Sequence, residues 1–437
     1  MSATQRAAAL AVVALVVVIG VVVWLNLGDA PTGRAPDATP TATPLGSPAT
    51  TPAPDATGEP AATPTDVDDE ELLGALAEIE EQVIAIRGLE AAEIGPVELI
   101  GSEQLVGELE ALFEAEYPQE DRERDNFVLR AFGLLGPDED VAELQLQLLG
   151  DQVRGFYHHE DKRMVVVSDR GLDAEAKLTY AHEYTHALQD AAFGIASLET
   201  DAVGEDDRSL ARVALLEGDA TITMLAWALQ HLSQEELMEI GNQQLPDTTG
   251  IPSWMVNQLI FPYTAGQAWA MELAGNPLSP DFTAIDAAYE DPPTSTAQII
   301  DVRKWYDRIE PVPVEIGDLA GGLGDGWEEV ASSPVGQATI GIMLEHFGLS
   351  AAEASGAADG WTGDRYVVAR GPEEQFALAW RTTWATEQDA ADFESAYRRA
   401  IGAIEVEAAV SRVGGTDVLV VHATNADLLR RTIQAAG

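Results

Sequence analysis

The pattern of hydrophobic and polar positions begins with an apolar run at residues 7–27, which holds no charged side chain and consists mainly of Ala, Val and Leu. About 20 such residues span a bilayer, so the run predicts a transmembrane helix within residues 1–28. Arg6 before it and Asp29 after it favour an uncleaved signal anchor with a cytoplasmic N-terminus, and a cleaved signal peptide is the alternative. The expected location is the cell membrane, with the remainder of the chain outside the cytoplasm.

Residues 29–66 form a linker rich in Pro, Thr and Ala. Such a composition cannot bury a core, so a disordered, extended stalk is expected. A stalk after a membrane anchor holds a folded domain away from the membrane surface.

Beyond the linker the pattern predicts an α+β fold. Residues 67–150 predict four helices and one short strand, which together would form a scaffold. A β-hairpin is predicted at 152–167, and a helix at 174–192, with Asp173 as its N-cap and Gly194 at its end. Another helix is predicted to open at Pro262 and to run to Ala274.

The last part of the chain alternates strand and helix patterns. After a loop-rich joint at 311–326, it predicts a small β-β-α-β-β-α module. The predicted division is therefore a mainly helical domain at 67–310, whose functional part is 151–310, and a small α/β module at 311–437.

Composition narrows the classes of partner and chemistry. The 437 residues carry a net charge of −50, which disfavours nucleic acid and anionic lipid headgroups as partners. Cysteine is absent, which excludes disulfides and cysteine-based metal sites. Oligomeric state is not indicated by the sequence.

The segment HEYTH at residues 182–186 carries the strongest candidate chemistry. On a helix, residues i and i+4 share a face, so His182 and His186 point two imidazoles at one place. That arrangement suits two ligands of a tetrahedral zinc ion. Glu183 is placed to act as the general base for a metal-bound water. Two ordinary histidines on an unremarkable helix are the alternative.

A third ligand is expected on the next helix. Glu217 falls inside an apolar stripe there, and a buried carboxylate is costly unless it is paired or bound to metal. An ion pair with Arg208 or Arg212 is the alternative to metal ligation. Asp219 lies on another face of this helix, which favours a supporting role over direct ligation.

Other candidates are weaker. Tyr263 is a candidate donor to the oxyanion of a tetrahedral intermediate, and His231 is a second one. Adjacent residues of a turn point apart, so His158 and His159 are expected in a solvated turn rather than at a metal. Residues 359–364 (DGWTGD) suggest a surface carbohydrate or cation loop, or a tight turn with a packed tryptophan.

The nine residues HEYTHALQD at 182–190, with a glutamate on the following helix, resemble the active-site helix of the gluzincin branch of the zincin metallopeptidases, the thermolysin-like enzymes. This resemblance implies a zincin-like catalytic region, Zn²⁺ as cofactor, and a polypeptide substrate that pairs with the edge strand before the helix. It implies that His182, His186 and Glu217 are the zinc ligands and that Glu183 is the base. The looser likeness of residues 97–437 to a group of bacterial extracytoplasmic proteins adds nothing about substrate.

Two features depart from the gluzincin pattern. The gap between His186 and Glu217 is longer than in thermolysin-like enzymes. Thr221 stands at the position where those enzymes often carry an aspartate that orients a ligand histidine. Asp190 and Asp219 are the candidates to replace that aspartate.

The sequence thus predicts zinc-dependent peptide-bond hydrolysis at the outer face of the cytoplasmic membrane. The first alternative is a catalytically inactive surface binding or assembly protein with a zincin fold. The second is a structural surface protein in which HEYTH has no function.

Overall fold

The computed structural model describes residues 69–149, 154–169, 171–200, 202–241 and 248–437. The expected anchor at 7–27 and the linker at 29–66 lie outside these ranges. Within them, no helix combines the length and the apolar character that crossing a membrane requires. The fold is mixed α+β with two separate sheets, as expected.

The N-terminal part supplies four helices and the small sheet. Its elements are α1 (Asp69–Arg87), β1 (Glu98–Ile100), α2 (Ser102–Glu116), α3 (Gln119–Phe132), α4 (Val141–Leu149), β2 (Gly155–His158) and β3 (Arg163–Val167). The sheet order is β1-β3-β2, with β1 parallel and β2 antiparallel to β3. The predicted hairpin is confirmed, and β2 is an edge strand of this sheet.

A group of helices follows the small sheet. They are α5 (Ala174–Phe193), α6 (Asp206–His231), α7 (Gln234–Gly241), α8 (Ser253–Ala274), α9 (Thr283–Glu290), α10 (Thr296–Ile300) and α11 (Val302–Tyr306). Helix α5 begins as predicted, because the Asp173 side chain accepts a hydrogen bond from the Ala176 N–H, and it ends at Gly194, which has φ +71°. From Leu178 to Gln189 every residue of α5 is buried, so the helix lies inside the protein rather than on its surface.

The predicted start of α8 at Pro262 is wrong. The helix begins at Ser253 and contains Pro262 in its interior. A proline there lacks the N–H that would bond the carbonyl four residues earlier, which normally disfavours the position. Burial of Trp254, Met255 and Leu259 in the preceding turns offsets that cost.

The C-terminal part contains the second sheet. Its elements are α12 (Leu319–Leu323), β4 (Glu328–Ser333), α13 (Gly336–His346), α14 (Ala351–Ala358), β5 (Trp361–Arg370), β6 (Phe376–Trp384), α15 (Glu387–Ala400), β7 (Glu407–Arg412), β8 (Asp417–Ala423) and α16 (Ala426–Ala436). The sheet order is β4-β5-β6-β8-β7, and every neighbouring pair is antiparallel. The six predicted elements occur in the predicted order, and β4 is an additional edge strand.

Of the two interpretations of residues 359–364, the surface ligand loop is wrong and the tight turn with a packed tryptophan is confirmed, because a turn at 359–360 leads into β5 at Trp361. Trp361 and Asp364 are both buried. The Asp364 carboxylate accepts hydrogen bonds from the indole N–H groups of Trp361 and Trp380. This aspartate holds strands and helices together rather than contacting a ligand at the surface.

One hydrophobic cluster joins the N-terminal helices to the second sheet. Phe132 at the end of α3 packs edge-to-face on Tyr366 and Trp380 of that sheet. His422 of β8 joins the same contact, because its Nδ1–H donates to the Ala131 carbonyl oxygen at 2.9 Å. The division of the chain at residue 311 stays a prediction.

Candidate metal centre

Helices α5 and α6 bring four of the predicted site residues together. His182 Nε2 lies 3.1 Å from His186 Nε2 and 3.1 Å from Glu217 Oε2. His186 Nε2 lies 3.4 Å from the same Glu217 oxygen. These three side chains are buried, and Glu183 lies beside them on α5.

The spacing of the three donor atoms fits a tetrahedral metal ion. Donors bound at about 2.0–2.2 Å in a tetrahedron lie about 3.3–3.6 Å apart. Within the described ranges, His182, His186 and Glu217 are the one group of three potential ligands whose donor atoms all lie within 4.8 Å of one another. Two histidines and a glutamate are a donor set of catalytic zinc sites, and three protein ligands leave the fourth position open.

Glu183 has one oxygen held and the other without a partner. Its Oε2 accepts a hydrogen bond of 2.9 Å from the Tyr157 backbone N–H on β2. Its Oε1 is buried and has no hydrogen-bond partner among the described residues. Burial raises the pKa of Glu183 to about 8, and His186 partly opposes that shift. An orphaned carboxylate oxygen beside three metal donors is placed to accept a proton.

The charges of the cluster depend on one another. Burial by itself lowers the pKa of His186, but the nearby Glu217 carboxylate outweighs burial and raises it. Burial by itself raises the pKa of Glu217, but the charge of His186 and the hydrogen bonds from both histidines lower it. The pKa of His182 is lowered, chiefly by burial. Glu217 is therefore ionised, and a metal cation that binds must displace a proton from His186.

Helix α6 does not form the alternative ion pairs. Arg212 bonds to the Glu199 carboxylate and the Leu198 carbonyl, and Arg208 also lies nearest Glu199. Glu217 instead faces the two histidines of α5. The burial of a carboxylate on an apolar stripe was the signal that identified it.

Tyr263 is buried beside the cluster formed by His182, His186 and Glu217. It is only 2% exposed, its ring stacks on His182 with centroids 6.1 Å apart, and its hydroxyl lies close enough to Glu217 to interact electrostatically with that carboxylate. Two glycines let α8 pack closely against α6, which brings Tyr263 to the cluster. A Cβ on Gly218 of α6 would lie 2.3 Å from the Gly266 carbonyl oxygen of α8. Tyr263 therefore lies against the candidate ligands Glu217 and His182 in this structure.

Asp219 occupies the supporting position expected of it. It is fully buried and accepts hydrogen bonds from Gln189 and Arg87, and Gln189 in turn contacts His186. Residues 67–150 were expected to be scaffold and one wall of a cleft, and they also reach the supporting residues directly, because Arg87 ends α1 at this aspartate. A single arginine in the last turn of a helix is usually explained by its favourable interaction with the helix dipole, so nothing in the sequence indicated this contact.

The remaining candidates lie elsewhere. His231 stacks on Trp227 in the last turn of α6, and Asp190 bonds to the Tyr157 hydroxyl and the Ile195 N–H rather than to a ligand histidine. The expected solvation of His158 is wrong. Its ring is buried between Asp161 and Glu116. The Glu116 hydrogen bond contributes most to raising its pKa to about 9, Asp161 adds to the shift, and burial opposes it.

Comparison with known proteins gives one partial match. A family described as "Domain of unknown function (DUF8575)" matches residues 327–432. This range begins just before β4 and ends within α16, so it contains none of the four residues of the metal centre. No curated protein and no solved structure matches the chain.

Proposed function

We propose that the protein is a zinc-dependent peptidase of the gluzincin type. The observation that carries the proposal is the unpartnered Glu183 Oε1 next to the three clustered donor atoms of His182, His186 and Glu217. Zinc at such a site polarises a carbonyl group and lowers the pKa of a water molecule. A purely structural metal site has no use for a buried base without a partner.

In this proposal each residue has one task. His182, His186 and Glu217 hold the metal, and Tyr263 keeps the Glu217 carboxylate in place. Glu183 takes a proton from the attacking water at Oε1 and delivers it to the leaving amine. Its other oxygen stays bonded to the Tyr157 N–H, which fixes the orientation of the carboxylate during transfer.

The edge strand β2 supports an extended polypeptide as substrate. The Val167 N–H donates to the Arg154 carbonyl, so hydrogen-bonded pairs alternate along the hairpin and the backbone groups of Gly155 and Tyr157 point away from β3. The Tyr157 N–H on that outer edge reaches Glu183. A substrate strand added along this edge would lie beside the base. The predicted anchor at residues 7–27 would place this reaction outside the cytoplasmic membrane.

The test measures zinc content and hydrolysis of a dye-labelled unfolded protein by the full-length chain. Wild type is expected to hold about one zinc per chain and to hydrolyse the substrate. Glu217→Ala and His182→Ala should lose zinc and activity together. Glu183→Gln should keep its zinc while turnover falls about 10²- to 10⁴-fold, since only the proton transfer is lost.

Two results would contradict the proposal. A wild-type chain without zinc in metal-replete buffer is not a metallopeptidase. A wild-type chain that holds zinc but hydrolyses no faster than Glu183→Gln is the inactive binding protein named as the first alternative.

A further inference from the structure

A continuous set of buried hydrogen bonds leads from the metal centre to the first described helix. His186 Nδ1 lies 2.8 Å from Gln189 Oε1, one turn further along α5. Gln189 Nε2 lies 3.0 Å from Asp219 Oδ2 on α6. Arg87, the last residue of α1, binds both oxygens of Asp219 at 2.8 and 3.1 Å. Helices α1, α5 and α6 thus meet behind one candidate ligand.

The partners of Gln189 determine which nitrogen of His186 carries a proton. Gln189 Nε2 donates to two acceptors, the Asp219 carboxylate and the Leu216 carbonyl. Its Oε1 must therefore face His186, where it can only accept. The proton is then on His186 Nδ1, which leaves the Nε2 lone pair free for a metal once the second proton has left.

The far end of this set is held rigidly. The Arg87 and Asp219 side chains are both 0% exposed. Arg87 also binds Asp286 at 2.6 Å and lies over the Phe282 ring, and Asp219 accepts a further bond from the Tyr289 hydroxyl. Burial alone would lower the pKa of Arg87, but the charges of these acidic partners outweigh it and raise the pKa. The guanidinium is therefore charged, and its contacts hold it in one geometry against the Asp219 carboxylate.

The other candidate ligand has no such support. His182 Nδ1 is buried and lacks a hydrogen-bond partner in the part of the chain that the structure describes. Of the two candidate histidine ligands, His186 is thus the one whose ring is held by an outer hydrogen bond. Outer hydrogen bonds of this kind fix the ring orientation and tautomer of a ligand histidine.

We propose that Arg87, Asp219 and Gln189 form a positioning relay that presents His186 Nε2 to the metal, so that the end of α1 controls the metal affinity of the centre. The relay rests on the proposed function for the identity of the metal. None of its three members touches the metal donors other than through His186, so they are positioning residues and not catalytic ones.

The first test measures zinc dissociation constants of full-length variants by competition with a chelator. Gln189→Leu removes the central link, and its zinc affinity is expected to fall about 10- to 100-fold. Arg87→Met combined with Asp219→Leu removes both charges together, because deleting one alone would leave the other buried and unpaired. Its zinc affinity is expected to fall by a similar factor. Urea unfolding of each variant confirms that it is folded.

Two control variants distinguish loss of the relay from a general loosening of the helix packing. Thr179→Val changes a buried α5 hydroxyl that has no hydrogen-bond partner among the described residues, and it should leave zinc affinity unchanged. Gln82→Leu removes the bond from α1 to the Trp227 indole, which attaches α1 without joining the relay. If Gln189→Leu and the double variant fold and bind zinc as tightly as wild type, the relay is refuted while the peptidase proposal stands.

The second test needs no metal and no activity. Chain labelled with ¹⁵N-histidine, freed of metal, should show a slowly exchanging proton on His186 Nδ1, assigned by its loss in His186→Ala. Gln189→Leu should make that proton exchange rapidly. A wild-type His186 without such a proton overturns the relay, whatever the zinc content. If the chain binds no zinc although the proton is present, the peptidase proposal fails and the relay's control of metal affinity fails with it, while the hydrogen bond from His186 to Gln189 stands.

Discussion

Tyr263 illustrates how a residue can be found by sequence yet have its role decided only by its contacts. As an oxyanion donor it would direct its hydroxyl at the substrate. Here the hydroxyl lies within electrostatic reach of Glu217, and the ring lies against His182. Burial and the neighbouring carboxylates raise its pKa well above the ordinary value, so it stays a neutral donor.

Replacing Tyr263 by phenylalanine distinguishes the two roles. If the hydroxyl holds Glu217, Tyr263→Phe should weaken zinc binding about 10-fold, and kcat at saturating zinc should change little. If it stabilises an oxyanion, kcat should fall about 10²- to 10³-fold with zinc affinity intact. Zinc titration followed by steady-state kinetics at saturating metal decides between them.

The residues of the centre that sequence could identify are those whose spacing is local. His182, Glu183 and His186 are adjacent on one helix, and Glu217 was marked by a charge on an apolar stripe. Gln189 and Arg87 had no such mark, because their roles depend on which helices pack together. Gln189 reads as an ordinary helix residue until Asp219 is placed beside it.

At the scale of elements, the crossing of α6 and α8 determines the shape of the centre. Gly218 directly follows Glu217, and Gly266 lies one turn after Tyr263. A Cβ on Gly218 would lie 2.3 Å from the Gly266 carbonyl oxygen, and one on Gly266 would lie 2.2 Å from the Ala214 carbonyl oxygen. Neither helix can keep its position with a larger residue, since the obstacle on each side is backbone.

Gly218→Ala and Gly266→Ala should therefore each lower the free energy of unfolding by about 1–3 kcal/mol or more, as overpacked cores do. Each should also weaken zinc binding, because moving the helices apart separates Glu217 from His182. Gly107→Ala is the matched control: this α2 glycine has open space around its Cβ position, and the change should stabilise by about 0.5–1 kcal/mol. Urea denaturation measures all three, and equal stability of Gly218→Ala and wild type would refute the close crossing.

The elements that sequence predicted best have strong local patterns. Helix α5 has an Asp cap and a terminal glycine, and β3 has the β-branched run Val165–Val167. Strand β4 was missed because its segment Glu328–Ser333 is short, acidic and only partly buried. Its pairing with β5 is decided by the sheet and not by its own propensity.

At the scale of the whole molecule, two buried carboxylates lie where helix α6 meets the second sheet. Asp207, at the start of α6, accepts hydrogen bonds from the Thr296 N–H and hydroxyl. Asp364 of β5 accepts from the backbone N–H groups of Val335 and Gly336. A Cβ on Gly336 would overlap the Asp207 carboxylate, so the two acids lie on either side of one glycine.

This junction should make stability fall as pH rises. Burial raises the pKa of Asp207 to about 7, with Asp364 and Asp206 adding to the shift and Thr296 opposing it, and burial also raises the pKa of Asp364. In the unfolded chain the Asp207 carboxyl ionises near its ordinary pKa of 3.8. Between about pH 4 and pH 7 the folded state therefore binds more protons than the unfolded state, and the free energy of unfolding decreases as pH increases. Below about pH 4 Asp207 is protonated in both states and does not change the free energy of unfolding. Above about pH 7 it is ionised in both states, and the full decrease in the free energy of unfolding is present.

Asp207→Asn removes that ionisation while keeping an oxygen that accepts from Thr296. We expect the variant to be more stable than wild type at pH 8 by on the order of 1–4 kcal/mol, and the difference should shrink toward pH 5. Asp359→Asn removes one charge from an exposed position, which controls for the general relief of repulsion in a chain of net charge −50. Urea unfolding of the three proteins from pH 5 to pH 8 in zinc-free buffer measures the effect. If the free energies of unfolding of wild type and Asp207→Asn change with pH in parallel, Asp207 is already ionised in the folded protein. The junction must then contain a countercharge for it.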